Sequence, residues 1–283
     1  MEYIFTNLKF LKSRFFCAAG ALFGLQSIIL SFVSWDELGV KNWCYKLLIF
    51  MGIILLSVVF AVVSLLVKRK NVLWKQGERT IQAMYGDLFK IANKKKQEKI
   101  IVIQVNTNFD TTVGGRIVAP DSVHGRWLKR FIKGNITPSR LDRMIQESLA
   151  QQKITPVIQD RRQKPEGNQA TYPRGTVAVV DDGNTHYYLV ALTHFDENMN
   201  AQCSKKEFLE VIDTLIDFYN RNGQGVPIYI PLMGTGISRT DITQNESLQI
   251  ITSLLKLNRA KIHGQANVVV YNKLKTEVSI FDL

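Results

Sequence analysis

The sequence has 283 residues, 46% of them hydrophobic, and a formal net charge of +12. This length allows one sizeable core with a smaller module beside it. The basic residues are spread along the chain without interleaved aromatic residues, which argues against a nucleic-acid-binding protein and favours a membrane surface or an anionic ligand as the partner. The three cysteines, Cys17, Cys44 and Cys203, lack metal-ligand spacing. A zinc site and a disulfide framework are therefore not expected.

Two long uncharged runs, at residues 15–33 and 47–67, stand near the N-terminus. At about 1.5 Å per residue, each is long enough to cross a hydrocarbon core of about 30 Å. A cleaved signal peptide and a buried hairpin of a soluble protein are the alternatives, but the first run is long for a signal peptide and two such runs are unusual in a soluble core. We predict a transmembrane helical hairpin within residues 1–75.

The charges around the two runs predict the orientation of this hairpin. Basic residues precede the first run and follow the second, whereas residues 34–46 between them carry no net charge. The positive-inside rule therefore places both ends in the cytoplasm. Gly20 and Gly24 form a Gly-x-x-x-Gly pattern, which is typical of associating helices. The flanking basic residues are Lys9, Lys12 and Arg14 before the first run, and Lys68, Arg69, Lys70 and Lys75 after the second.

Residues 76–283 have the pattern of a separate α/β domain, in which short apolar runs alternate with segments of helical period. Residues 181–184, Asp-Asp-Gly-Asn, predict a hairpin turn, and residues 159–172 are polar and predict an exposed connection. The order predicts a three-layer α/β/α arrangement with a mixed sheet. The predicted strands are 100–105, 175–180, 186–192, 226–233 and 266–271, and the predicted helices are 127–132, 138–151, 205–220 and 242–257.

The run at 226–233 ends in a turn that contains two glycines, Gly234-Thr235-Gly236-Ile237-Ser238. Glycines let the backbone approach a ligand closely, and free N–H groups before a helix bind anionic oxygens. The turn is therefore a candidate phosphate-binding loop. A strand-to-helix turn of this kind is also common without any ligand.

Four motifs follow one another along the α/β domain. They are Gly86-Asp87-Leu88 after an early strand, Asn106-Thr107-Asn108 after a buried strand, Pro173-Arg174-Gly175 before a later one, and Gly234-Thr235-Gly236-Ile237. In this order they resemble the motifs of macro domains, the ADP-ribose-binding fold. The resemblance implies that Asp87 accepts a hydrogen bond from an adenine amino group and that the asparagine turn meets the distal ribose. On the residues alone, Asp87 can be a helix cap, and the asparagines can close an Asx-turn.

The sequence departs from ordinary macro domains behind the asparagine turn. Gly114 and Gly115 are followed by Arg116 rather than by further glycines. Macro domains that hydrolyse ADP-ribosyl groups use that glycine loop, so the departure weakens the case for hydrolysis. Arg116 or Arg126 can still pair with a diphosphate, although a solvated arginine is the commoner state.

Three further stretches are His124-Gly125 after Pro120-Asp121-Ser122, the Leu192–Asp196 run and the Pro231–Arg239 loop. Together with the two apolar runs, they make nearly the whole chain resemble the membrane-anchored macro-domain effectors of type II Thoeris anti-phage systems. His194 and Asp196 would each recognise a group on the distal ribose or cap backbone. The resemblance implies a multi-pass protein of the bacterial inner membrane with a cytoplasmic macro domain and no catalytic residues, metal or cofactor.

In that resemblance the ligand is an ADP-ribose derivative, in this type a histidine conjugate, which a TIR-domain partner enzyme makes from NAD. Binding would drive homo-oligomerisation and act on membrane lipid. Two other functions stay open: a membrane-tethered ADP-ribosyl hydrolase, and a reader that anchors ADP-ribosylated proteins.

Overall fold

The computed structural model describes residues 2–94, 96–114, 116–132, 136–162, 164–235 and 240–283. The chain forms two compact units. The first comprises Met1–Asn71 together with Lys275–Asp282, and the second comprises Val72–Leu274 with Leu283. The C-terminal segment 275–282, which the sequence-based division placed in the α/β domain, is thus part of the first unit.

The first unit is built on two long helices, α2 (Leu8–Phe32) and α3 (Trp43–Val67), which follow a short helix α1 (Glu2–Thr6). Both long helices are long and apolar enough to cross a membrane. They pack as an antiparallel hairpin, since Tyr3 Oη donates to the Leu65 carbonyl and the Phe23 and Phe50 rings lie 5.4 Å apart. Helix α2 begins before the predicted run because its basic first turns, with Lys9 and Lys12, continue the same helix.

The C-terminal segment packs on the helix ends of this unit. The Phe281 ring stacks on the Phe10 ring with their centroids 4.3 Å apart. Ser279 Oγ donates to Asn7 Oδ1 at 2.8 Å, and both residues are buried. Asn71 Nδ2 donates to the Ile280 carbonyl at 2.7 Å. Residues from both ends of the sequence therefore make one packed cluster.

The second unit contains a sheet whose strands lie in the order β1-β2-β10-β9-β3-β7-β6, with β8 paired to β7. The central strands β2, β10, β9, β3 and β7 pair in parallel, whereas β6 and β8 pair antiparallel to β7. Strands β4 and β5 form a separate pair. The strands are β1 (Lys70–Gln76), β2 (Arg79–Gly86), β3 (Lys99–Asn106), β4 (Val157–Ile158), β5 (Ala170–Thr171), β6 (Val177–Asp182), β7 (Thr185–Phe195), β8 (Ala201–Gln202), β9 (Ile228–Pro231) and β10 (Gln265–Tyr271).

Helices cover both faces of this sheet, and the three-layer α/β/α prediction is confirmed. Alternate residues of a strand point to opposite faces. In β3, Ile101, Ile103 and Val105 belong to the core shared with α4, α5 and α6. On the other face, the Tyr188 ring meets the Phe218 ring of α7 at 5.2 Å. The helices are α4 (Leu88–Ala92), α5 (Val123–Phe131), α6 (Pro138–Gln151), α7 (Lys205–Asn222) and α8 (Gln244–Leu257).

Helix caps and a glycine turn set the ends of several helices and strands. Thr137 caps α6 by accepting from the Arg140 N–H, and the helix spans the predicted residues 138–151. Ser204 and Glu207 form a capping box at the start of α7, where each satisfies a backbone N–H of the other. Gly183 has a φ of +57° in the turn between β6 and β7, as the Asp-Gly sequence predicted.

The prediction that residues 159–172 are an exposed connection is wrong in part. Lys164 is only 1% exposed, and its Nζ lies 3.0 Å from Asp110 Oδ2. Residues 170–171 form β5. The segment is polar because it supplies partners to buried polar groups, so its composition alone resembled that of a solvated loop.

Candidate functional site

Two neighbouring cavities lie at the carboxyl edge of the parallel strands. Strands β2, β3, β9 and β10 end at Gly86, Asn106, Pro231 and Tyr271, and residues at or next to each of these ends line a cavity. This is the edge at which open α/β sheets bind ligands. The larger cavity measures about 280 Å³ and the smaller about 70 Å³. Both are lined by Gln104 and Ser122, so the two cavities form one groove with a shared wall.

The larger cavity is lined by aromatic rings, one guanidinium and two carboxylates, those of Asp87 and Asp121. The Arg126 guanidinium lies 5.0 Å from the Phe89 ring centroid and 5.5 Å from that of Tyr271. Asp87 caps α4, since its Oδ1 accepts from the Phe89 and Lys90 N–H groups at 2.9 and 3.2 Å. One oxygen of Asp87 is thus used by the fold. Flat rings, a guanidinium plane and a carboxylate are suited to a planar, hydrogen-bonding heterocycle.

The smaller cavity is lined by Asn106, His124 and Phe195 among others. Asn106 is 5% exposed, and its Oδ1 accepts from the N–H groups of Asn108 and Asp110 at 3.1 and 3.3 Å. Burial lowers the pKa of His124 to about 3, so its imidazole is neutral at neutral pH. This compartment therefore presents neutral polar groups and one aromatic ring.

The wall between the cavities is formed by Gln104 on β3 and Ser122 at the start of α5. Gln104 Oε1 accepts from the Gly234 N–H at 3.1 Å. Ser122 caps α5, since its Oγ accepts from the Gly125 N–H at 3.0 Å. The N–H of Gly234, expected from the sequence to face an anionic ligand, is therefore bonded to a side chain of this chain.

A buried ion pair supports the loop behind the smaller cavity. Asp110 accepts from Lys164 Nζ and, at 2.6 Å, from the Asn168 N–H. Burial raises the pKa of the Asp110 carboxyl, and Lys164 opposes that shift. Phe109, between the asparagine turn and Asp110, has a φ of +51°, a conformation that non-glycine residues rarely adopt. The loop is thus held in place by polar contacts from residues 164–168.

Of the residues predicted from the sequence, the structure brings one group to the groove. Asp87, Leu88 and Thr235 line the larger cavity, and Asn106 lines the smaller. Gly234 reaches the groove through its hydrogen bond to Gln104. The candidates Gly115, Gly236, Ile237 and Ser238 lie outside the described residues, and their assignment stays a prediction.

Five other residues that the sequence singled out lie away from the two cavities and contact other parts of the chain. His194 Nδ1 lies 2.9 Å from Arg174 Nη1, and Asp196 accepts from the N–H groups of Asn198 and Asn200 within its own turn. Asn108 Nδ2 donates to Thr171 Oγ1 at 2.8 Å. Gly114 bridges Val118, and Arg116 is exposed. None of these five candidates lines either cavity in the part of the chain that the structure describes.

Sequence reasoning missed Gln104, Ser122 and Tyr271. The signal for Gln104 was present, since it is the polar residue within the apolar run 100–105. Tyr271 ends the last strand at the ligand edge, and Ser122 precedes a helix that begins four residues before the predicted one. Cys203 offers no nucleophile, because burial raises the pKa of its thiol to about 12.

Comparison with known proteins identifies the domain that carries this groove. Residues 81–271 match the family described as Thoeris protein ThsA, Macro domain. The chain belongs to this ThsA macro-domain family. The match extends from β2 to the last residue of β10 and includes every residue named above as lining the groove. Outside this range, Leu274 also lines the larger cavity.

A curated relative matches most of this chain and most of its own length. Thoeris protein ThsA of Bacillus amyloliquefaciens (strain Y2) is 25% identical over 258 residues, which cover 89% of this chain and 82% of the relative. Two structures of the Oceanobacillus iheyensis macrodomain, one with ADP and one with MES bound, are each 14% identical with a TM-score of 0.47. The first covers 76% of this chain and 95% of its own, and the second 75% and 93%.

Proposed function

We propose that the chain is a membrane-anchored receptor of Thoeris defence whose macro domain binds an ADP-ribose-derived signal. The observation that carries the proposal is the groove, in which Asp87 lines one compartment and Asn106 the other, in a ThsA macro domain. The aromatic compartment would hold the adenine and the neutral polar one the distal ribose. The histidine conjugate that a TIR-domain partner would make from NAD is the preferred ligand.

The receptor binds its ligand without converting it, in our proposal. Support comes from the asparagine of the turn, whose Oδ1 is taken by two backbone N–H groups, and from the buried, neutral His124. The alternative is a tethered ADP-ribosyl hydrolase. Incubating the full-length protein with histidine–ADP-ribose and with ADP-ribosylated protein, then measuring the products by chromatography, distinguishes the two: a receptor returns the ligand intact, whereas catalytic turnover would establish the hydrolase.

The two apolar helices anchor the protein in the bacterial inner membrane as a hairpin, with the macro domain in the cytoplasm. Support comes from the length and apolar composition of α2 and α3 and from the basic residues outside them. Reporter fusions at residue 40 and at the C-terminus test the orientation. We expect external activity only for the fusion at residue 40; an externally active C-terminal fusion would refute the topology.

Ligand binding switches the receptor by assembling several copies, which then disturb the membrane. A ligand shifts a two-state equilibrium only by its preference for one state, and a near-complete switch needs about 5.5 kcal/mol. Because every subunit of an assembly contributes this preference, the binding free energy that a single site must supply is smaller. Mass photometry of the detergent-solubilised full-length protein should show a larger assembly with saturating ligand, and an unchanged mass would refute this step.

A further inference from the structure

We infer that Gln104 is a ligand-binding residue that donates, through its side-chain NH2 group, to an anionic centre lying between the two cavities. The inference rests on the proposed function, because it names the group that would hold the phosphates of that ligand. It starts from the position of Gln104, which lines both cavities of the groove. A ligand that occupies both compartments must pass this side chain.

The hydrogen bond to Gly234 fixes which end of the amide faces the groove. An amide has one acceptor end and one donor end. Because the Gly234 N–H donates to Gln104 Oε1, that oxygen is directed at the glycine turn, and Nε2 forms the other end. Within the described part of the chain, Nε2 has no hydrogen-bond partner, and its residue is only partly buried. Its two N–H donors are therefore free for a ligand.

One guanidinium and two carboxylates line the larger cavity beside this point, and one of the carboxylates, that of Asp121, is exposed. The Ser122 hydroxyl is engaged within the chain, since it donates to the Ala119 carbonyl at 2.7 Å and accepts from the Gly125 N–H at 3.0 Å. Arg126, on the next turn of α5, lines the larger cavity.

The Asp87 carboxylate lies in the larger compartment and has one oxygen engaged in capping α4. The side-chain N–H donors of Gln104 and the Arg126 guanidinium together suit phosphate oxygens. Gln104 would thus do what a free backbone N–H of the glycine turn does in a phosphate loop, since the Gly234 N–H is already bonded.

The test is the variant Gln104→Glu in the full-length protein. A carboxylate can still accept from the Gly234 N–H, so the turn keeps its support, but the donors are lost and a negative charge faces the ligand phosphates. We expect affinity for ADP-ribose, measured by calorimetry, to fall about tenfold or more. Binding of adenosine, measured by ligand-observed NMR, should be unchanged because adenosine carries no phosphate.

Gln265→Glu is the matched control, since it makes the same change at an exposed position at the start of β10. It should bind ADP-ribose like the wild type, and melting temperatures verify that both variants are folded. Unchanged ADP-ribose affinity in Gln104→Glu overturns the inference, and so does an equal loss for adenosine, which would make Gln104 only a wall of the cavity. Failure of the wild type to bind ADP-ribose would instead overturn the proposed function, and the inference with it.

Discussion

At the scale of single residues, the buried ion pair of Asp110 and Lys164 stabilises the loop that follows β3. Their side chains are 1% and 2% exposed. Removing one partner leaves the other charge buried without compensation, which typically costs about 3–5 kcal/mol. We therefore expect Asp110→Asn and Lys164→Met each to lower the free energy of unfolding of the macro domain by that order, as measured by urea denaturation.

The double variant gives the matched comparison for this pair. Because it removes both charges, it should lose clearly less stability than the sum of the two single variants. Strict additivity would show that the two groups do not interact energetically. In that case the loop 106–110 would be held by its other hydrogen bonds, such as those from Asn168 and from Asn108 to Thr171.

His186 gives the macro domain a pH-dependent contribution to stability. Its Nδ1 lies 2.6 Å from Asp181 Oδ1 and its Nε2 3.0 Å from Glu98 Oε1. Burial lowers the pKa of His186, but the hydrogen bonds to the two carboxylates outweigh it and raise the pKa. A raised folded-state pKa means that the stabilisation is fully present below the unfolded value of about 6.5 and is lost as the pH rises through the folded value.

The measurement for this residue compares melting temperatures of wild type and His186→Asn at several pH values. The deficit of the variant should be largest near pH 6 and shrink towards pH 9. A deficit that stays constant over that range would mean that the imidazole acts through packing rather than through its charge.

Two of the residues that the sequence motifs singled out lie at the carboxyl edge of the sheet, and their role in binding stays a prediction. Asp87 follows β2 and Asn106 ends β3, so both reach the ligand edge of the sheet. His194 lies at the end of β7 beside Arg174, whereas its neighbours Thr193 and Phe195 line the smaller cavity. Lys164 could not be predicted, since its partner lies 54 positions away.

At the scale of elements, the C-terminal segment 275–282 is the feature that composition did not indicate. Val278 and Ile280 are fully buried, and Phe281 stacks on Phe10. An aromatic pair contributes about 0.5–1.5 kcal/mol beyond its buried area. We expect Phe281→Ala in the detergent-solubilised protein to increase amide hydrogen exchange in residues 275–283 and in the first turns of α2.

The exposed neighbour Asp282 supplies the control for this prediction, since Asp282→Ala removes a side chain outside the cluster. Equal exchange in wild type and Phe281→Ala would contradict a stabilising role for the ring stack.

Helices and strands with strong caps or periodic apolar residues were predicted closely. The tail was not, because short segments without periodicity reveal their packing only through distant partners such as Asn7.

At the scale of the whole molecule, the chain connects the macro domain that carries the groove to the first unit. Tyr271 and Leu274 line the larger cavity, and the next residue, Lys275, begins the segment that belongs to the first unit. The first unit is therefore joined to the macro domain at two places in the sequence, before β2 and after β10. Sequence composition predicted both modules, but only the structure shows the second connection.

The most direct test of the central claim, that this groove binds an ADP-ribose-type ligand, is a calorimetric titration of the full-length protein in lipid nanodiscs with ADP-ribose. The titration is repeated with Val123→Phe, which enlarges a side chain that lines the larger cavity. The account predicts saturable binding with one ligand per chain in the wild type and none in the folded variant. No saturable binding in a folded wild type, or equal binding in Val123→Phe, would contradict it.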